Sequence, residues 1–440
     1  MSSSNIAKTR LLILTDISNE PDDEQSLVRL LHYANEFDLE GLIATTSVWL
    51  KNTIRPERIT ERIEAYGQIR DNLLKHAPDY PSADYLHGIT KKGSTHFGMD
   101  GVGAGQDSEG SDHIIAVVDQ LDPRPLWIGV WGGPNTLAQA LWKVRATRSP
   151  EEVAAFVAKL RLYAISDQDH SGHWLREEFP QLFYIVSPSS IDSEDYGKST
   201  WAGISGDKFH GLFTGPDFHL VSNEWLDENV RHDHGPLAAL YPWTKYLMEG
   251  DTPTFLYLIP NGLGVPEKPH YGSWGGRYQW NGAFYSDTQD KVEGEDNKIY
   301  TTNQGTIWRW RWAYQHDFAA RVDWGLQSYE EANHHPVVVI NGQAGKAPVD
   351  IAAQPGEEIA LSAAGTADPD GDAFTVAWWV YQEAGTYEGA VPLEIGAELD
   401  AHLTVPDNAA GKEIHVICEV VDTGEPNLTA YRRVIVVVEE

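Results

Sequence analysis

Disulfide support is missing from this chain: only one of its 440 residues, Cys418, is a cysteine. A disulfide framework and a cysteine-based zinc site are therefore both excluded within it. Cys418 lies in an apolar, strand-like run from His415 to Val421, where a small core side chain is expected rather than a nucleophile. Long hydrophobic runs are also missing. No stretch reaches the length of a membrane span, so no membrane partner is expected. The first ten residues hold no apolar segment of signal-peptide length. This predicts a cytoplasmic location for the chain as written, and a periplasmic or secreted one where a signal has been removed. Positive charge is scarce: 33 Lys and Arg stand against 65 Asp and Glu, a net charge of −32. Such a surface repels phosphate backbones and anionic lipids, so nucleic acid is not expected as a partner. Neutral ligands such as sugars remain.

The length suggests two or three domains. Residues 11–14 are a short apolar run ending in polar residues, as in a strand buried on both faces of a parallel sheet. Pro21 then opens a helix, with Leu27, Leu30, Leu31, Ala34 and Phe37 on one face. The alternation continues through a strand at 42–48, a helix at about 56–74, a strand at 126–130, and a helix from Asn135 to Val144. Helix 151–160 and strands at 161–165, 182–186 and 254–259 follow. This pattern predicts an α/β domain over 1–333, a Rossmann-like, mostly parallel sheet with helices on both faces. After Trp324 short alternating strands separated by Pro-Gly and Asp-Gly turns take over, which predicts an Ig-like β-sandwich over 334–440. The acidic turn at 368–372 reads as a strand connection, since position 379 is Trp and not the closing glutamate of a calcium loop.

The densest chemistry follows the first strand. Asp16, Glu20, Asp22, Asp23 and Glu24 place five carboxylates across the start of a helix. One or two acids at a helix N-terminus need no explanation beyond the helix dipole. Five repel one another unless a cation or substrate hydroxyls compensate, and a hard oxygen-liganded ion such as calcium would do so. A second acidic loop, Asp167-Gln168-Asp169-His170, follows strand 161–165 and could supply an acid to a leaving group. Trp49, Trp201 and Trp274 sit in segments expected to ring the strand ends, where aromatic faces bind pyranose rings. The glycines at 101, 103 and 105 do not follow a convincing strand, so a dinucleotide loop is rejected and no organic cofactor is expected.

These segments resemble the inosine–uridine-type nucleoside hydrolases. The likeness runs from the acidic turn through Ala44-Thr45-Thr46 to His96-Phe-Gly98-Met-Asp100-Gly101. It continues at Trp131-Gly132-Gly133-Pro134-Asn135 and at Asp233-His234-Gly235-Pro236-Leu237-Ala238. The resemblance implies that Asp16 holds calcium and activates water, that Asp22 binds sugar hydroxyls, and that Asp23 is a bidentate calcium ligand. It gives the backbone carbonyl of Trp131 as a further ligand and places His234 near the leaving group. The chain also departs from that family. Leu14 stands where its turn begins with aspartate, and the turn is two residues longer, with Glu20. Its asparagine is missing from the Trp49-Leu-Lys-Asn52 segment, and a late ligand aspartate aligns with Gly235. The last departure puts calcium in doubt, unless Asp233 substitutes. With the C-terminal sandwich, these features look like a divergent branch known as cellulose-binding proteins with a nucleoside-hydrolase-like domain. Segments around Asp167, Trp201, Asn261 and Trp274 fit that branch. The resulting expectation is a glycoside hydrolase acting on an oligo- or polysaccharide-derived substrate. Asp16, Glu20, Asp22, Asp23, Asp167, Asp169 and His234 would be catalytic, and Trp49, Asn52, His96, Asp100, His170, Trp201, Asn261 and Trp274 would contact substrate. The alternatives are a carbohydrate-binding protein without turnover and a ribonucleoside N-glycosidase. Homo-oligomerisation stays open.

Overall fold

The computed structural model describes residues 7–189, 191, 195–205, 214–397 and 399–440. Its main sheet has strands β1 (Thr9–Thr15), β2 (Phe37–Ala44), β3 (Thr90–Lys92), β4 (Leu126–Val130), β5 (Leu160–Ala164), β6 (Phe183–Val186), β7 (Tyr278–Trp280) and β8 (Tyr285–Asp287). Their spatial order is β3-β2-β1-β4-β5-β6-β8-β7. Every pairing is parallel except β7 with β8. The first six strands thus follow the doubly wound order, which reverses direction between β1 and β4. In such sheets the ligand crevice lies at that switch point, outside the carboxyl ends of the strands.

The sheet's two faces explain the apolar character of its central strands. Leu11 and Ile13 point into one cluster, with Leu27, Leu30 and Leu31 of helix α1 (Pro21–His32). Leu12 and Leu14 point into the opposite cluster, with Leu137 and Leu141 of a helix at Asn135–Thr147. Leu14, where the resemblance led one to look for an acid, is therefore a core residue with no exposure.

One expected strand is absent. Residues 254–259 belong to a buried helical turn, Pro253–Leu256, and its continuation. The run is apolar on all sides because it is enclosed by the core, and periodicity cannot separate such a segment from a buried strand. Trp308 and Trp312 lie in helices, at Gly305–Trp308 and Arg311–Asp323.

The C-terminal strands form a four-stranded sheet, β9 (Val349–Ala353), β15 (Thr429–Val438), β14 (Glu413–Asp422) and β11 (Phe374–Val380). A three-stranded sheet of β10 (Glu358–Ser362), β13 (Asp400–Thr404) and β12 (Leu393–Ile395) completes a sandwich. Cys418 is buried within it. The sandwich does not sit at arm's length. Its Tyr381, Ile417 and Tyr431 belong to the same apolar cluster as the β1 face of the main sheet. Trp310 meets Trp379 and Tyr431 at ring separations of 5.8 and 5.6 Å. Arg433, without exposure, donates to the backbone carbonyls of Leu263 (2.7 Å) and Tyr271 (2.9 Å). No helix among the described residues is long and apolar enough to cross a membrane.

Candidate active site

At the switch point the backbone of β1 and β4 is held together where Trp131 N–H donates to the Leu14 carbonyl (2.8 Å). Beyond it the chain turns sharply, and Ser18 takes a left-handed conformation at φ 81°. Glu20 is the extended residue before α1, and Pro21 occupies the first turn, where its missing N–H costs nothing. This geometry brings Asp16, Asp22 and Asp23 to one side. Thr15 Oγ1 donates to Asp23 Oδ1, and Ser47 Oγ, just past β2, donates to Asp16 Oδ2.

Gly132 and Gly133 make room for the acids. A Cβ at Gly132 would lie 2.7 Å from Asp16 Oδ1, and one at Gly133 would lie 2.7 Å from the Thr46 carbonyl oxygen and against Asp169. The carboxylates of Asp16 and Asp169 thus press on neighbouring peptides after β4, a closeness that only glycine allows.

A fourth acid, itself buried, completes the cluster, and the sequence did not reveal it. Asp251 lies in the loop before the Pro253 turn, and ligand atoms of Asp22, Asp23 and Asp251 fall within 4.8 Å of one another. Asp16, Asp23 and Asp251 are nearly without exposure, at 3%, 4% and 3%. Burial pushes the Asp16 carboxyl up to about 6, against the hydrogen bond from Ser47. Burial, then the charges of Glu20 and Asp16, pushes Asp22 up to about 8. Asp23 and Asp251 are driven well above the carboxylate range by burial and by their acidic neighbours. Glu20 is raised by burial and partly offset by Lys245.

The recess around these acids is tight, with an enclosed volume of about 40 Å³. It takes a few water-sized groups. Asn19, Glu20, Trp131, Gln168, Leu247 and Gly250 contribute to its lining. Trp49, Tyr196 and Trp201 also line it. Trp49 is 44% exposed and donates through Nε1 to Tyr196 Oη (3.3 Å), whereas Trp201 is buried and donates to Ser166 Oγ (3.0 Å).

The other residues expected here stand elsewhere. His234 is fixed between Asp323 (Nδ1 to Oδ1, 2.8 Å) and the Glu228 carbonyl (2.8 Å), and is not among the residues lining the recess. Gly235 packs against Leu326 and Ile69, and Asp233 is exposed and pairs with His232. Neither replaces the missing ligand; Asp251 reaches the acids from a different loop. Asp167 is held by two bonds from Arg176, at 2.8 and 2.9 Å, and so braces the following helix. Asp169 has no exposure, accepts from Ser171 and is pushed up to about 6 by burial, but it lies behind Gly133 rather than in the recess. Asn52, His96, Asp100 and His170 are exposed and not part of the lining. His96 instead meets Gln106 (3.0 Å). Asn261 and Trp274 are interface residues: the Asn261 carbonyl accepts from Tyr431 N–H (3.1 Å), and Trp274 stands edge-on to the Tyr431 ring.

The donor set suits a hard cation. It consists of carboxylate oxygens, Trp131 also lines the recess, and Asp251 Oδ2 is buried without a hydrogen-bond partner. The Trp131 carbonyl itself accepts from Gln168 Nε2.

Residues 10–278 match the family model described as cellulose-binding Sde182, nucleoside hydrolase-like domain. The chain belongs to this family. Residues 358–438 match the C-terminal domain of cellulose-binding protein Sde0182, so both halves of this Sde182-like chain fall in the same kind of protein. A solved structure from Saccharophagus degradans is similar throughout. It is a nucleoside hydrolase-related hypothetical protein associated with carbohydrate metabolism, with 40% identity and a TM-score of 0.84, covering 98% of this chain and 100% of that one. The effector protein XOO4466 is 11% identical over 73% of this chain and 94% of its own, with a TM-score of 0.34, a likeness too slight to argue from. No curated protein matches the chain.

Proposed function

We propose that this Sde182-like protein hydrolyses a glycosidic bond in an oligo- or polysaccharide-derived substrate, whose sugar end sits at the mouth of the recess at the switch point. The observation that carries this reading is the convergence of Asp16, Asp22, Asp23 and Asp251, with one carboxylate oxygen left without a partner. Clustered buried acids are costly to keep unless a cation or a developing positive charge uses them. Asp23 and Asp251, with Asp16 and the Trp131 carbonyl beside them, would hold a calcium ion. When bound, that ion would make a water more acidic and fix its place. Asp16 is the group to accept the water's proton, and Asp22 to accept hydrogen bonds from sugar hydroxyls. As the bond to the leaving oxygen breaks, positive charge builds on the anomeric carbon, and the surrounding carboxylates stabilise it. Glu20, partly exposed at the recess, is the carboxyl placed to protonate the leaving oxygen, since Asp167 and Asp169 are held away. A polysaccharide would be met outside the cytoplasm and a short oligosaccharide inside it.

The family's description as cellulose-binding favours a second reading, in which the same recess binds a sugar end without turnover. One experiment separates the two. The protein and an Asp22→Ala variant are incubated with oligosaccharides, aryl glycosides and nucleosides, with and without chelator. Sugar release lost in the variant supports the hydrolase; release that survives it sinks the site assignment. Binding without release supports the second reading. Release indifferent to chelator removes calcium, and release from nucleosides alone would make the protein an N-glycosidase.

A further inference from the structure

A second opening lies beside the acidic recess, on the other side of the segment that carries Trp243 and Asp251. Trp243 lines this cleft, whereas Leu247, Gly250 and Asp251 line the recess. Helix α1 is shared in the same way, with Asp23 facing the recess and Glu24 facing the cleft. The cleft is open and roomier, with about 440 Å³ of accessible space against about 40 Å³ for the recess.

Its walls combine an aromatic platform with forked polar groups. Trp243 is 59% exposed. The Arg231 guanidinium, itself nearly buried, lies 4.3 Å from the centroid of the indole. A cation beneath one face holds the ring in place and leaves its exposure to the other face. Arg231 pairs with Asp227 (3.3 Å) across a π-helical turn, Asp227–Arg231, that presents both side chains to the cleft. π-turns of this kind are frequent at functional sites. Across the cleft, Glu24 is gripped by Arg58 (3.0 Å) and Arg62, and Arg58 also reaches Glu61 (2.9 Å). Arg62 is 2% exposed, and its Nε has no hydrogen-bond partner.

Three guanidiniums face three carboxylates here, so the cleft attracts neither an anion nor a cation by net charge. A flat exposed indole, with planar donors and acceptors at its edges, matches a neutral ring bearing vicinal hydroxyls. We propose that this cleft is a saccharide-binding subsite, which takes a run of neutral pyranose units in a chain whose end lies at the acidic recess. The proposal rests on the reading of the recess as a carbohydrate site, but not on turnover there.

The test is electrophoresis of the full chain through gels containing hydroxyethylcellulose, paired with quenching of tryptophan fluorescence by cellohexaose. Trp243→Ala is expected to weaken binding about tenfold, and Trp243→Phe, which keeps an aromatic face, to recover most of it. Because the ring is exposed, thermal stability should not change. Equal retention of Trp243→Ala and the parent overturns the proposal. So does failure of the parent to bind either glucan, and so does a Phe variant as weak as the Ala variant. Release of sugar from a short aryl glycoside is scored separately. Its absence counts against the hydrolase alone, and retention of polymer binding by Asp22→Ala shows that the cleft works apart from the recess.

Discussion

Arg29 and Glu249 form an ion pair of 2.6 Å in which neither side chain is exposed, although 220 residues separate them in the chain. Arg29 belongs to the helix whose first turn bears Asp22 and Asp23. Glu249, left-handed at φ 52°, opens the turn that carries Asp251. Gln25 and Ser26 of the same helix strengthen the grip: Gln25 Oε1 accepts from Glu249 N–H (2.9 Å), and Thr252 Oγ1 donates to Ser26 Oγ (3.0 Å). One helix therefore supplies two of the four acids and holds the loop that supplies a third.

Breaking this pair strands a buried charge. Arg29→Met is expected to cost about 3–5 kcal/mol of stability. It should also weaken terbium binding, because Asp251 loses its register. Urea unfolding and terbium luminescence sensitised by the recess tryptophans check both. Unchanged terbium affinity would show that Asp251 is positioned without the pair.

The acids set a pH signature in the absence of metal. Asp22 is raised from its ordinary 3.8 to about 8 in the folded protein. Between those values the folded state keeps a proton that the unfolded state has lost, so stability falls as pH rises through the interval. Asp22→Asn cannot ionise and escapes that loss. In chelator, its melting temperature should match the parent's near pH 4 and exceed it increasingly toward pH 8. Calcium should reverse the trend by favouring the deprotonated acids.

His234 shifts stability in the same direction, through a bond to its charged form. Its bond to Asp323 raises its pKa above the ordinary 6.5. The stability it contributes is present in full below that value and is lost as pH rises through the folded one. His234→Ala should therefore destabilise the protein more at pH 5 than at pH 9. Its kcat and KM at a temperature where it stays folded should be unchanged, since the ring lies away from the acids. A loss of kcat without a loss of stability would return His234 to the reaction.

Gly132→Ala separates packing from chemistry. The new methyl meets Asp16 head-on and is expected to cost about 1–3 kcal/mol. Sugar release should suffer more than stability, because Asp16 must move. Thermal melts beside activity measurements decide it.

Much of this was legible in the sequence. The alternation of apolar runs and amphipathic helices marks the parallel sheet because each central strand is buried on both faces. The acidic turn was visible because its members are contiguous. Asp251 was hidden for two reasons. It is a lone acid in a loop, and the apolar residues after it read equally well as a strand. His234 does not line the recess, and the sequence could not show this, because short motifs carry order along the chain but not distance. Asn261 and Trp274 looked like loop residues for sugar, since nothing local says that a second domain covers them.

That cover makes the sandwich poor material for cutting and pasting. Arg433 reaches through the boundary to the Leu263 and Tyr271 carbonyls, and Tyr431 N–H is bonded to the Asn261 carbonyl. Severing the chain near residue 334 would leave those acceptors bare and open an apolar seam along the main sheet. The two halves should melt together in a single calorimetric transition. The C-terminal half is better regarded as a keel of the hull than as cargo lashed to it.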